Sequence, residues 1–107
     1  MPEVRVVSFI LPELRLVRRG NSHYITVPRS VVQRLRELEG RRVIVEVREL
    51  GPEPTGLGTY SITVITWVTE LRLQRERTTY RLLAPAGKIE QLRKLQGRPV
   101  QVTVRER

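Results

Sequence analysis

At 107 residues the chain is long enough for one compact domain, or for two very small intertwined ones. It has no cysteine and one histidine, His23, which excludes disulfides, thiolate metal sites, thiol catalysis and a histidine metal cluster within one chain. The formal charge of +9 favours a polyanionic partner, and no apolar run approaches the roughly 18 residues of a membrane span.

Val4–Leu11 (VRVVSFIL) is β-branched and apolar, bounded by Pro2 and Pro12, and reads as a strand. Leu14–Arg18 alternates and reads as a short strand. Arg19-Gly20-Asn21-Ser22 is a turn by its glycine and asparagine. His23–Val27 is another short strand. Pro28 can open a helix, because the first turn needs no N–H from it. Val31, Val32, Leu35 and Leu38 then recur at helical spacing until Gly40 stops the helix. In Arg42–Glu49, Val43, Val45 and Val47 share one face of a strand. Residues 50–59, with two prolines and three glycines, form a linker or long turn.

The chain then repeats itself. Shifted by 57 residues without a gap, Glu13-Leu14-Arg15-Leu16 falls on Glu70-Leu71-Arg72-Leu73, and Pro28 on Pro85. Leu35 and Leu38 fall on Leu92 and Leu95, Gly40-Arg41 on Gly97-Arg98, and Val43, Val45 and Val47 on Val100, Val102 and Val104. Tyr60–Val68 is the counterpart of Val4–Leu11. The second copy continues with a strand over Leu71–Arg75, a turn at Arg77-Thr78, a strand over Tyr80–Leu83, a helix over Pro85–Leu95 and a strand over Val100–Arg105. The expected order is β-β-β-α-β twice, with repeat one over 4–49 and repeat two over 60–106. Each repeat alone is too short for a good core, so the two share one. An internal two-fold suits a two-fold partner such as duplex DNA, although duplication also serves folding alone.

Residues 14–49 resemble the SpoVT/AbrB swapped-hairpin family of AbrB-type regulators and MazE-type antitoxins. The resemblance is carried by Arg18-Arg19-Gly20-Asn21-Ser22, Ile25-Thr26-Val27-Pro28, Val31-Val32, Leu35 and Glu39-Gly40-Arg41-Arg42-Val43, in that order and spacing. The second copy keeps the frame but has Arg77-Thr78-Thr79 at the turn and Ala84-Pro85 for Val27-Pro28. The resemblance implies a mainly β fold with two short helices, a swapped-hairpin barrel formed as a pseudo-dimer within one chain. It also implies a last strand after each valine-rich strand. Copy two has none, so Val4–Leu11 is expected to lie beside Val100–Arg105.

The expected function is double-stranded DNA binding, as a cytoplasmic, nucleoid-associated protein or transcriptional regulator. The contact candidates are Arg15, Arg18, Arg19, Asn21, Ser22, His23 and Arg29 in copy one, and Arg72, Arg75, Arg77, Thr78, Thr79 and Arg81 in copy two. Arginine on a strand and its turn can straddle phosphates or form bidentate contacts to guanine. Asn21 either reads adenine or holds a left-handed turn. Arg29 either helps the helix start to hold an anion or is a solvated first-turn side chain. His23 reads first as a neutral residue beside the turn. Arg34, Arg36, Arg41 and Arg42 read as a solvated face paired with Glu37 and Glu39. Tyr24, Tyr60, Tyr80 and Trp67 read as core or rim rather than a base-stacking platform.

Composition offers a second account of the charge. Lysine occurs only at Lys88 and Lys94, Asn21 is the one asparagine, and aspartate is absent. This also fits a heat-adapted or GC-rich source. No catalytic constellation, phosphate loop, metal motif or cofactor site is read, and no secretory signal at Met1-Pro2-Glu3. The alternative is an antitoxin with a protein toxin as partner, for which a toxin-binding tail after the last strand would be expected. Further pairing into a homodimer, or a second copy reduced to a structural half, also stays open.

Overall fold

The valine alternation read from the sequence builds the centre of the molecule. The computed structural model describes residues 5–50 and 65–107. Val4, residues 51–59 of the expected linker and the Tyr60–Val64 half of the expected strand lie outside the described residues. Among the described residues, eight strands fall into two antiparallel four-stranded sheets. Copy one contributes β1 (Val6–Leu11), β2 (Leu16–Arg19), β3 (Ser22–Thr26), helix α1 (Arg29–Leu35) and β4 (Arg42–Glu49). Copy two contributes β5 (Ile65–Arg72), β6 (Arg75–Glu76), β7 (Thr79–Ala84), helix α2 (Ile89–Arg93) and β8 (Val100–Glu106). The order β-β-β-α-β therefore occurs twice.

The first sheet runs β1-β8-β4-β5, so strands of the two copies alternate across it, and the second runs β2-β3-β7-β6. Neither copy owns a sheet. β1 lies antiparallel to β8, with Val7 opposite Val104 and Leu11 opposite Val100, in the place expected for Val4–Leu11. The six valines of β4 and β8 are fully buried in one core cluster that draws on both copies. At roughly 1.5–3 kcal/mol per buried side chain, they are a main reason the two copies hold together.

The pairing of β4 with β8 is its own image under the 57-residue shift. Val45 faces Val104, and moving each by 57 gives Val102 and Val47, which also face each other. The central pair is Glu46 with Thr103, which are equivalent positions in the two copies. In the second sheet, Ile25 and Leu82 are equivalent and face each other.

The outer strands depart from the repeat. Val7 sits opposite Val104, whereas the equivalent place opposite Val47 is held by Trp67, three positions further along the repeat. Leu14 exchanges backbone hydrogen bonds with Gly97 and Arg98, at 2.8 and 3.0 Å, and Leu73 makes the matching pair with Gly40 and Arg41, at 2.7 and 2.9 Å. Structurally, then, Leu73 and not Leu71 is the counterpart of Leu14. The expected strand Leu71–Arg75 is corrected accordingly. β5 runs on to Arg72, the chain breaks at Leu73-Gln74, and β6 is only Arg75–Glu76.

The helices also differ. α1 continues into a 3-10 turn at Arg36–Leu38, as the spacing of Leu35 and Leu38 required. The expected helix over Pro85–Leu95 is reduced to a 3-10 turn at Ala86–Lys88 followed by the five residues of α2. Gly87 is a poor helix former, and the Lys88 carbonyl accepts the Trp67 indole N–H at 2.9 Å.

Both outer strands have a carbonyl covered by a cation. Arg34 Nη1 donates to Ser8 O at 3.3 Å on β1, and Lys88 Nζ donates to Val68 O on β5. Ser8 lies opposite Thr103 and Val68 opposite Glu46, so the two carbonyls occupy matching places. Charge laid on a sheet edge discourages edge-to-edge association. The expected pairing of the helix arginines with Glu37 and Glu39 is not what forms. Arg34 serves the strand edge, Arg41 pairs with Glu106, and Arg42 pairs with Glu70. Glu37 meets Arg5, and Glu39 accepts from Tyr80. For Arg41, Arg42 and Glu39 the cause is the alternation of copies, which brings residues of the other copy beside them; Arg34 and Glu37 instead meet residues of their own copy at and before β1.

At the centre of the first sheet, Glu46 is 8% exposed. Its two oxygens meet Arg105 Nε at 3.2 Å and Arg48 Nη2 at 3.4 Å, and Arg48 and Arg105 are themselves equivalent positions. One carboxylate thus serves both arginines, with Thr103 in the other central place. Glu46→Thr is expected to cost about 1–3 kcal/mol, because two half-buried guanidinium groups lose their shared acceptor. A urea unfolding midpoint unchanged from the parent chain would contradict this.

Candidate nucleic-acid interface

The predicted contact residues gather mainly at two hairpin tips. In copy one, β2 and β3 are joined by the two-residue turn Gly20-Asn21, with Arg18 opposite His23 and Arg19 opposite Ser22. In copy two, β6 and β7 are joined by Arg77-Thr78, with Arg75 opposite Tyr80 and Glu76 opposite Thr79. Gly20 has φ +62, and Arg77, in the same place, has φ +56. Such a hairpin needs one residue at positive φ. Glycine enters that region freely, whereas an L side chain costs about 1–2 kcal/mol. The left-handed residue of copy one is therefore Gly20 and not Asn21, whose exposed side chain is left without that backbone duty. Arg77→Gly is expected to stabilise the fold by about 1 kcal/mol, read as a higher thermal midpoint; a lower one would contradict the strain.

Arg18 and Arg75 are the best-matched pair of candidates. Both are exposed. Arg18 Nε donates to Gly20 O at 3.1 Å, and Arg75 Nε donates to Arg77 O at 2.9 Å. Each guanidinium is thus held by the carbonyl of its own turn, its Nη groups remain for an anion, and neither has a carboxylate partner among the described residues. An arginine fork positioned in this way loses less freedom when it takes a phosphate.

Other candidates are tied up. Arg15 pairs with Glu13 at 3.2 Å, away from the tip. Arg19 reaches Glu76 at 2.7 Å, and Arg81 reaches the same carboxylate at 3.2 Å while lying 5.4 Å from the centre of the Tyr24 ring. Arg19 and Glu76 are equivalent positions, and so are Tyr24 and Arg81. The alignment of the copies already placed Arg19 on Glu76, and that reversal of charge was the signal for the ion pair. The contact brings β2 and β6, the outer strands of the second sheet, towards each other.

Arg72, Arg75 and Arg81 come together on a groove of about 640 Å³, walled also by Tyr24, Arg42, Glu70 and Glu76. Arg72 lies opposite Arg42 across β5 and β4. Tyr24 and Arg42 were missed as site residues, because only long-range pairing brings them here. Arg29 is the first residue of α1, past the end of β3 far from the copy-one turn. Asn21, Arg77 and Thr78 are exposed, and Ser22, His23 and Thr79 are half-buried.

The tips differ most beneath the turn. Tyr80 is 1% exposed and its hydroxyl donates to Glu39 Oε1 at 2.9 Å. Burial, then the bond and charge of Glu39, hold the phenol above its ordinary value. A raised phenol contributes stability that is fully present below about pH 10 and is lost as pH rises through the folded-state value. The thermal midpoint should therefore fall on the alkaline side, and Tyr80→Phe should flatten that fall at a cost of about 1 kcal/mol near neutral pH. An alkaline limb identical in the two proteins would contradict it. His23, the equivalent residue, has its Nδ1 buried without a partner among the described residues.

No group of acidic and histidine side chains that could hold a metal ion occurs among the described residues, and no helix among them is long and apolar enough to cross a membrane. No protein-family model, no curated protein and no solved structure matches the chain.

Proposed function

We propose that the chain is a tandem swapped-hairpin protein of the SpoVT/AbrB type that binds double-stranded DNA, as a transcriptional regulator or a nucleoid-associated protein. It is a binding protein in this reading, without cofactor or catalysis. The observation that carries it is the matched pair of tip guanidinium groups, Arg18 and Arg75, each fixed by its own turn carbonyl and each free of a carboxylate among the described residues. A net charge of +9 supplies the long-range attraction. The intertwined strand order and the self-image register of β4 and β8 support an intrachain pseudo-dimer. In this mechanism the strapped arginines neutralise phosphates while exposed turn side chains reach base edges.

The test is titration of the chain with duplex DNA over a range of salt. Released counterions give a linear fall of log affinity with log salt, with a slope of about −0.9 for each phosphate neutralised. A duplex affinity that stays flat between low and moderate salt would sink the reading.

A further inference from the structure

We propose that the duplex site recognised by this chain is non-palindromic and is bound in one fixed orientation, each tip reading a different half-site. The proposal rests on the duplex-binding reading above and adds the kind of sequence that is bound. A protein of two identical halves favours operators that mirror its own two-fold. Here the frame is shared by both copies while the reading groups are not.

The shared part is the positioning part. Equivalent turns, equivalent registers and the equivalent contacts of Arg18 and Arg75 give both tips the same hold on a phosphate backbone. The part that meets bases differs. Asn21 offers an amide that donates and accepts at once, a fit for adenine, whereas Thr78 offers one hydroxyl and a methyl group. Arg77 adds an exposed guanidinium where copy one has Gly20, the group best suited to guanine.

The chain also cannot reach a symmetric state by turning end over end. Among the described residues, polar residues at equivalent positions of the two copies that lie against or opposite each other are unlike. Arg19 meets Glu76, Arg81 lies over Tyr24, and Glu46 faces Thr103. Identical copies would set carboxylate against carboxylate at the centre of the first sheet, or arginine against arginine at the edges of the second. The two halves are therefore specialised for each other, and the surface they present has a direction.

The test begins with selection of bound duplexes from a randomised pool, followed by mapping with a tethered iron chelate that cleaves DNA. The chain has no cysteine, so Val17→Cys and Gln74→Cys, at equivalent exposed positions beside the two tips, each give one attachment point. The expected result is a consensus without two-fold symmetry, cut near one end by the Val17→Cys label and near the other by the Gln74→Cys label. A palindromic consensus, or equal cleavage at both ends from each label, would overturn the proposal. No enrichment at all would overturn it too while leaving general duplex binding intact, and failure to retain any duplex at low salt would instead remove the functional reading. A triple variant, Arg77→Gly, Thr78→Asn and Thr79→Ser, gives copy two the turn of copy one without straining the backbone. It should move preference by about tenfold towards a two-fold repeat of the half-site read by copy one. An unchanged preference would show that the turns do not read sequence.

Discussion

Leu73→Ala is expected to cost about 2–5 kcal/mol of folding stability, the range for emptying a closed core site, and Leu71→Ala less than about 2 kcal/mol. The repeat alone predicts the opposite ranking, since it aligns Leu71 with Leu14. Leu14 and Leu73 are both fully buried, whereas Leu71 is half-buried on the rim of the core. Leu73 is also locked by its backbone bonds to Gly40 and Arg41, so the strand end cannot slide to refill the space. Leu14→Ala should match Leu73→Ala in size. Urea unfolding of the three variants decides the matter: a Leu71→Ala loss equal to or above that of Leu73→Ala would mean that the outer strand keeps the register of the repeat.

The second large effect concerns binding. Replacing both Arg18 and Arg75 with alanine should weaken duplex affinity by roughly 100-fold at low salt and make the salt slope shallower by about two, one for each lost phosphate contact. Each single variant should give about half of this change on a logarithmic scale. Arg36→Ala, on the exposed face of the 3-10 turn after α1, serves as the comparison and should change affinity far less. Arg19→Ala should weaken binding less than Arg18→Ala, because Arg19 is committed to Glu76, which keeps Arg81 as a partner when Arg19 is lost. If Arg36→Ala weakened binding more than Arg18→Ala, the binding surface would lie on the helix side. Circular dichroism melts of each variant separate a lost contact from a hairpin loosened by loss of its strap.

Much of the frame was legible because its signals are local. Val43, Val45 and Val47 recur at every second residue, Pro28 and Gly40 bracket α1, and Gly20-Asn21 marks a two-residue turn; each rests on backbone geometry within a few residues. The outer-strand register was not legible. The sequence match of Leu14-Arg15-Leu16 to Leu71-Arg72-Leu73 is the better one, but Leu71 and Leu73 are two residues apart, the spacing of one strand face, so either can fill the place of Leu14. Val6–Leu11 has little polar alternation, and a strand without alternation leaves its register to the partner strand. The site was legible in its tips and illegible in its partners. Arg18 and Arg75 stood out by charge and position. That Arg81 would join Arg19 on Glu76, or that Arg42 would lie beside Arg72, depends on strands far apart in the chain.

The place of β8 has a consequence for how the molecule is made. It lies between β1 and β4 and is the partner of both, yet it leaves the ribosome after each of the other described strands. Until then β1 has no neighbour and β4 shows half of its hydrogen-bonding groups to solvent. Topologies dominated by such distant pairings fold slowly and leave strand edges open in the interval. During translation, the apolar segment Val6–Leu11 must therefore wait unpartnered until Val100–Glu106 has been made. A chaperone that holds extended apolar segments should find this nascent chain a good client and the finished protein a poor one.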